Sequence, residues 1–210
     1  MPWAFHFKAS TIPLMSFNKL DVVQLDGSEP FHLNGQTLPF DVLTFWRWSS
    51  SDLVSNAMRG VLAEYLVARD LGVAQAARVE WDAYDLRTQQ GLRVEVKSAA
   101  YLQSWKQAKL SRICFDIEPK QGWNAETNEY STEQRRQADV YVFALLNHQD
   151  KVTLDPLNLA QWAFFVLPAD ILDEKLPRQK SMSLSTLLRL EPVGVKYGQI
   201  RTAIEGLFND

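Results

Sequence analysis

Two nearly continuous apolar runs in the second half of the chain constrain its fold more than any other feature. Residues 138–146 read ADVYVFALL and residues 162–167 read WAFFVL. Runs of this length without polar alternation are typical of strands that are covered on both faces. A sheet covered on both faces needs a layer of helices on each side, so we expect an α/β domain.

Helices that could cover this sheet are predicted before and after it. A helix is predicted over about residues 52–70, because Ser49 to Asp52 supply N-cap candidates and Gly72 is placed to end it. The segments ADILDEKL and YGQIRTAIEGLF predict two further helices near the C-terminus. Three strands are predicted between the first helix and the apolar runs, in ARVEWDAYDLRT, GLRVEVKSA and RICFDIE.

The length of 210 residues fits one domain with some decoration. Residues 1–48 are rich in aromatics and turn formers and predict an N-terminal extension of short strands or loops packed on the core. The core itself is assigned to residues 49–170, and residues 171–210 are predicted to be a C-terminal helical segment of the same domain. The polar stretch 118–137 predicts a long loop.

Composition excludes several classes of site. The single cysteine, Cys114, excludes a disulfide framework and a CxxC zinc site, and the three histidines are scattered without metal-binding spacing. No apolar run approaches the roughly 18 residues of a membrane span, and the N-terminus shows no signal-peptide core, so a cytoplasmic protein is expected. The net charge of −3 is unusual for a protein that binds nucleic acid.

The stretch YDLRTQQGLRVEVKS predicts a hairpin that brings charged side chains together. A three-residue loop, Gln89 to Gly91, would place Gly91 at the position that requires a positive φ, so that Thr88 pairs with Leu92. In that register Asp85 lies directly across from Glu95, and Lys97 shares the same face because side chains alternate along a strand.

Two opposed carboxylates destabilise a hairpin unless a cation lies between them. We therefore predict that Asp85 and Glu95 hold Mg²⁺, or alternatively Mn²⁺, with the Val96 carbonyl as a third ligand. Lys97 would orient water or stabilise negative charge during phosphodiester hydrolysis. Asp82 is the second candidate for the first acid, because a bulge in the strand would turn it toward the site.

Glu64 lies within the predicted apolar stripe of the first helix, between Val61 and Val67. A buried carboxylate needs a partner. One interpretation is that Glu64 points to the metal site and takes part in catalysis; the other is an ion pair with an arginine. Acid-x-Lys triplets by themselves are weak signals, since Glu118-Pro-Lys120 and Asp173-Glu-Lys175 also match.

A helix bearing a glutamate, followed by a hairpin that reads YDL…GLRVEVKS, resembles the PD-(D/E)XK, or restriction-endonuclease-like, superfamily, and within it a bacterial group. The resemblance covers about residues 51–167. It implies an αβββαβ core with a mixed central sheet flanked by helices, and Mg²⁺-dependent cleavage of DNA, less often of RNA. The chain departs from the pattern in having Tyr84 rather than proline before the first acid.

Candidate substrate contacts follow the hairpin. SWKQAKLSR spaces Lys106, Lys109 and Arg112 three apart, roughly on one helical face, where they could bind phosphates or form a solvated surface. The expected partner is nucleic acid, DNA first, with no membrane, and a homodimer is compatible with the sequence. The alternatives are an inactive nuclease-like module that binds nucleic acid or protein, and a carboxylate-pair glycosidase, which would have no use for Lys97.

Overall fold

The computed structural model describes residues 20–78, 83–124 and 129–208. Its α-helices are α1 (Val42–Ser50), α2 (Asn56–Leu71), α3 (Ala169–Lys175), α4 (Leu184–Arg189) and α5 (Ile200–Phe208), with a 3₁₀ turn at Leu159–Gln161. Its strands are β1 (Pro30–Leu33), β2 (Gln36–Asp41), β3 (Leu86–Arg87), β4 (Arg93–Ala100), β5 (Cys114–Asp116), β6 (Lys120–Asn124), β7 (Glu129–Arg135), β8 (Val140–Leu146), β9 (Trp162–Pro168), β10 (Ser181–Ser183) and β11 (Val193–Val195).

A five-stranded mixed sheet forms the centre, in the order β11-β9-β8-β4-β3. The pair β4 and β8 is parallel and the other neighbours are antiparallel. The two apolar runs are β8 and β9, and every residue of β8 is buried. The predicted α/β architecture with a mixed sheet and flanking helices is confirmed.

Each face of this sheet has its own hydrophobic core because side chains alternate along the strands. Val94 and Val96 of β4 face the side covered by α2 and α5. Ala99 of β4 lies on the other side, which is covered by α3, α4 and the two-stranded pair of β5 and β10. Glu95 and Lys97 share the alternation of Ala99 and therefore lie on the face opposite α2.

Helix α2 begins later than predicted, and its buried stripe agrees with the predicted one only at Val67, Ala68 and Leu71. Ser55 caps it by accepting a hydrogen bond from the Met58 N–H, and Gly72 ends it at a φ of 73°. The buried stripe comprises the side chains of Arg59, Ala63, Leu66, Val67, Ala68 and Leu71. Glu64 therefore lies beside the buried stripe rather than in its middle, which corrects the predicted position.

The N-terminal region contains a helix that the sequence analysis did not predict. The hairpin of β1 and β2 agrees with the expected short strands, but residues 42–50 form α1. Asp41 starts this helix by accepting a hydrogen bond from the Thr44 N–H at 2.8 Å. None of its residues is buried, so hydrophobic burial gave no signal for it.

The stretch predicted to be a long loop contains an antiparallel strand pair, β6 and β7, which among the described residues pair with each other and with no other strand. The Trp123 and Tyr130 rings lie 4.8 Å apart across it. Nearly all its described side chains are exposed, so no apolar alternation marks it in the sequence. An αβββαβ core requires a helix between its third and fourth strands; the described residues between β5 and β8 contain this strand pair instead.

Across the described ranges, no helix combines the length and the apolar character needed to cross a lipid bilayer.

Candidate active site

The hairpin of β3 and β4 has the register predicted from its loop. Leu86 pairs with Val94 and Arg87 with Arg93. The Thr88 N–H donates to the Leu92 carbonyl at 2.9 Å, and Gly91 adopts a φ of 92°. Gly91 is thus a glycine because of the left-handed backbone that this tight loop requires.

Asp85 immediately precedes β3, at the edge of the central sheet. Its N–H donates to the Val94 carbonyl at 3.1 Å, one residue out of the regular register. Its Oδ2 accepts a hydrogen bond from the Val96 N–H at 2.7 Å. Regular strand pairing therefore ends before the predicted Asp85–Glu95 pair. The Asp85 carboxylate instead accepts the Val96 hydrogen bond that a backbone carbonyl of a longer β3 would accept.

Glu95 and Lys97 extend from the same face of β4, as the strand alternation predicted. The Lys97 Nζ lies 2.5 Å from the Glu95 Oε1, and each side chain is about 18 % exposed. Burial alone would lower the pKa of Lys97, but the carboxylates of Glu95 and Asp85 raise it above its usual value. Lys97 is therefore a partly buried, permanently charged ammonium at neutral pH.

Asp85 is the most perturbed carboxyl group of the site. Burial, together with the negative charge of Glu95, raises its pKa to about 7, and Glu64 adds to this effect. The Val96 hydrogen bond and the Lys97 charge oppose the increase. The charges of two further acids thus act on Asp85, and a positive charge there would relieve this repulsion.

Glu64 reaches this site from the other face of the sheet. It forms a two-pronged ion pair with Arg78, whose Nε lies 2.5 Å from Oε2 and whose Nη2 lies 3.1 Å from Oε1. The arginine ion pair considered in the sequence analysis is therefore present. The same carboxylate lines a cavity together with Asp85 and is near enough to affect its pKa.

The donor set suits a hard cation, although the described residues contain no group of three His, Cys, Asp or Glu arranged to hold a metal. Asp85 Oδ1 has no hydrogen-bond partner within the described ranges, while Oδ2 is bonded to Val96. The Val96 carbonyl points to the same side as its N–H, beyond the start of β3. Two carboxylates and one carbonyl are the oxygen ligands that Mg²⁺ accepts, with water completing its shell.

The predicted phosphate contacts are exposed but not helical. Residues 101–113 contain neither helix nor strand, so the predicted helical face of Lys106, Lys109 and Arg112 is wrong. The Gln107 side chain stabilises the irregular backbone of this segment, because it forms hydrogen bonds with the backbone of Gln103, Tyr101 and Lys109. Asp82, the alternative first acid, lies outside the described residues.

The sequence analysis missed three residues that affect the site. Arg78 pairs with Glu64, and Tyr141 lies beside Glu95 in the parallel register of β4 and β8. Burial and the Glu95 charge raise the pKa of Tyr141. Asp116 of β5 contributes to the raised pKa of Lys97. Tyr141 could have been found as the one hydroxyl-bearing residue in ADVYVFALL; the other two depend on tertiary contacts.

The pKa of Asp85 predicts an unusual dependence of stability on pH. A carboxyl whose folded pKa is raised from 3.8 to about 7 stabilises the protein below pH 4, and this contribution is lost as pH rises through 7. In chelator at pH 8, Asp85→Asn should therefore raise the free energy of unfolding by on the order of 2–4 kcal/mol, with little gain at pH 4. Urea unfolding at both pH values measures this.

Asp139 is the matched control, because Arg93 lowers the pKa of its carboxyl. Asp139→Asn should lower stability at pH 8, the opposite sign. An Asp85→Asn variant that is destabilised equally at both pH values would contradict the electrostatic account of the site.

Comparison with known proteins bears on the class of activity. The family model described as bacteriophage T4 endonuclease IV matches residues 41–186, which is more than two thirds of the chain and includes Glu64, Asp85, Glu95 and Lys97. A search of curated proteins finds no match. The match begins at the N-cap of α1 and ends within α4, so it spans the central sheet except β11. The chain therefore belongs to the bacteriophage T4 endonuclease IV family, a family of nucleases.

Proposed function

We propose that the protein is a Mg²⁺-dependent nuclease that hydrolyses phosphodiester bonds in DNA, with Asp85, Glu95 and Lys97 at its catalytic centre. One observation carries the proposal: two partly buried carboxylates and a partly buried ammonium group meet at the start of β3, in a chain that belongs to an endonuclease family. The name of that family also favours DNA cleavage within the strand.

Asp85, Glu95 and the Val96 carbonyl would hold the metal ion, with Mn²⁺ as an alternative to Mg²⁺. A bound ion would polarise a phosphoryl oxygen and lower the pKa of a water molecule. Asp85 suits this task because burial, together with the negative charges of Glu95 and Glu64, raises the pKa of its carboxyl to about 7. Above that pKa it offers a full negative charge, so metal affinity should rise between about pH 6 and 8.

Lys97 supplies fixed positive charge beside the scissile phosphate. Its raised pKa keeps the ammonium charged throughout the neutral range. Glu95 holds it by a 2.5 Å contact. A charged group already fixed in place costs no reorganisation when negative charge develops on the phosphoryl oxygens. Lys97 would also orient the attacking water through its remaining N–H bonds.

Glu64 is proposed as the auxiliary acid of the centre. It acts on Asp85 through its charge, and its pairing with Arg78 favours a positioning role over direct contact with the phosphate. Lys106 and Lys109 are proposed to bind backbone phosphates. Both are exposed, neither forms an ion pair within the described residues, and their segment directly follows β4, the strand that carries Glu95 and Lys97.

We further propose that the chain is a PD-(D/E)XK enzyme. Support comes from the order of α2, the β3–β4 hairpin with its D…ExK residues, and β8 parallel to β4. The second candidate is an inactive member that binds nucleic acid or a partner protein. The net charge of −3 favours it, and a protein partner in particular, because proteins that bind nucleic acid usually carry a surplus of lysine and arginine.

A cleavage assay separates the two. Labelled single-stranded DNA, duplex DNA and RNA are incubated with the protein in Mg²⁺, in Mn²⁺ and in chelator. The nuclease proposal predicts products from DNA only with a divalent ion. Equal cleavage in chelator would refute the metal mechanism, and binding of DNA without cleavage in either metal would favour the inactive module.

A further inference from the structure

A cavity of about 430 Å³ adjoins the proposed catalytic centre on the α2 side of Asp85. Its walls come from α2, from the turn that follows this helix, and from residues 84–87 at the start of the hairpin. Asp85 belongs to both the cavity and the centre, whereas Glu95 and Lys97 line only the centre. A ligand in the cavity would therefore lie immediately beside a phosphate held at Asp85.

The chemistry of the walls favours a flat, uncharged, partly polar ligand. Small side chains, those of Ala68, Ala74, Ala76 and Ala77, leave the space open, and Tyr65 and Tyr84 provide aromatic surfaces. Tyr65 is 52 % exposed, so about half of its surface is accessible. Apolar walls with a few polar groups are typical of sites for small organic ligands.

The polar part of the wall is almost charge-balanced. The Glu64 carboxylate and the Arg78 guanidinium neutralise each other at 2.5 Å. The Gln24 amide adds one donor and one acceptor. A phosphate would meet the Glu64 and Asp85 carboxylates here, whereas a nucleobase presents an uncharged edge of donors and acceptors.

We propose that this cavity receives a single nucleobase of the substrate, turned out of its stack, next to the phosphodiester that is cut. The inference rests on the proposed nuclease function and adds a base-binding subsite to it. The volume accommodates one nucleoside but not a base pair, as in enzymes that accept an extruded base. Tyr65 stacks on the base, and the Gln24 amide of the wall faces its polar edge.

The test uses oligonucleotides with one abasic nucleotide, moved a single position at a time past the cleaved bond. For the unaltered protein, kcat/KM should fall about 10-fold or more when the abasic nucleotide occupies one position beside that bond, and much less elsewhere. This position dependence is the readout, because a general loss of strand affinity would affect every position alike.

Two variants then assign the effect to the cavity. Tyr65→Ala removes the stacking surface and Ala77→Trp fills the space. For each variant, kcat/KM with the intact oligonucleotide should be about 10-fold lower than for the unaltered protein. Introducing the abasic nucleotide should then cause little further loss. Tyr65→Phe should keep the position-specific abasic loss because it keeps the ring. Ala160→Trp, at an exposed position in the 3₁₀ turn, is the matched control for adding tryptophan. Thermal melting confirms that each variant is folded.

A flat abasic profile in the unaltered protein, or a full abasic loss retained in folded Tyr65→Ala and Ala77→Trp, would overturn the subsite. If no oligonucleotide is cut in any metal, the nuclease proposal fails separately. Fluorescence anisotropy with the same abasic series then tests the cavity alone: a position-specific loss of affinity supports it, and equal affinities overturn it.

Discussion

Replacing Lys97 by methionine should lower the kcat of metal-dependent DNA cleavage by about 10²–10³-fold, the usual effect of removing one charge-stabilising group from an active site. Methionine keeps the length and apolar stem of lysine but cannot stabilise the negative charge that develops on the phosphoryl oxygens. KM should change less than kcat, because the ammonium group interacts most strongly with the transition state. Single-turnover cleavage at saturating Mg²⁺ measures the loss.

The chain provides a matched control in Asp173-Glu174-Lys175, a second acid-x-Lys triplet. Lys175 also pairs with a neighbouring glutamate, at 2.6 Å, but it lies on the exposed surface of α3. Lys175→Met should cleave DNA at the rate of the unaltered protein. A folded Lys97→Met variant that keeps more than a tenth of the original kcat would remove Lys97 from the chemistry.

Replacing Arg136 by leucine should lower the free energy of unfolding by about 3–5 kcal/mol, because each buried acceptor left without a partner costs about 1–3 kcal/mol. The Arg136 side chain is fully buried and donates to the carbonyls of Ile117, Leu176 and Gln179. It also pairs with Asp173 at 2.7 Å. The variant would leave these acceptors unsatisfied where β5 meets α3, so the core on that face would loosen.

Arg135 is the control for this prediction. It adjoins Arg136 in sequence, but it lies on the exposed strand β7 and donates only to Gln137 among the described residues. Arg135→Leu should change stability by no more than about 0.5 kcal/mol. Urea unfolding in chelator measures both variants. Equal losses would mean that the Arg136 network does not hold the fold together.

The central sheet could be predicted because its strands carry simple patterns. The apolar runs of β8 and β9 required cover on both faces, and Gly91 set the register of the hairpin through its loop geometry. The same register brought Glu95 and Lys97 to one face. These features depend on residues that are near neighbours in sequence or on burial alone.

The errors arise where a charged side chain is stabilised by distant groups. Arg59 occupies the first turn of the buried stripe of α2 because the Val54 carbonyl, Asn56 and Gln103 accept its hydrogen bonds, so hydrophobicity could not place that part of the stripe. Glu64 depends on Arg78, which only the turn after α2 brings back to it.

The strand pair of β6 and β7 was missed for a different reason. Its strands meet water on nearly all sides, so they lack the alternation that marks a half-buried strand. The position of Asp85 likewise depends on a local irregularity, since its side chain replaces a backbone partner of Val96 at the strand end. The prediction assumed that regular antiparallel pairing continues one residue past the Leu86–Val94 pair, so it could not show this irregularity.

The claim that Asp85 and Glu95 together bind a divalent ion is tested most directly by crystals soaked in Mn²⁺. An anomalous difference map should show one strong peak about 2.0–2.4 Å from a carboxylate oxygen of each residue, on the side of the Val96 carbonyl. A Mn²⁺-dependent enzyme whose crystals show the peak elsewhere, with none between Asp85 and Glu95, would contradict the account.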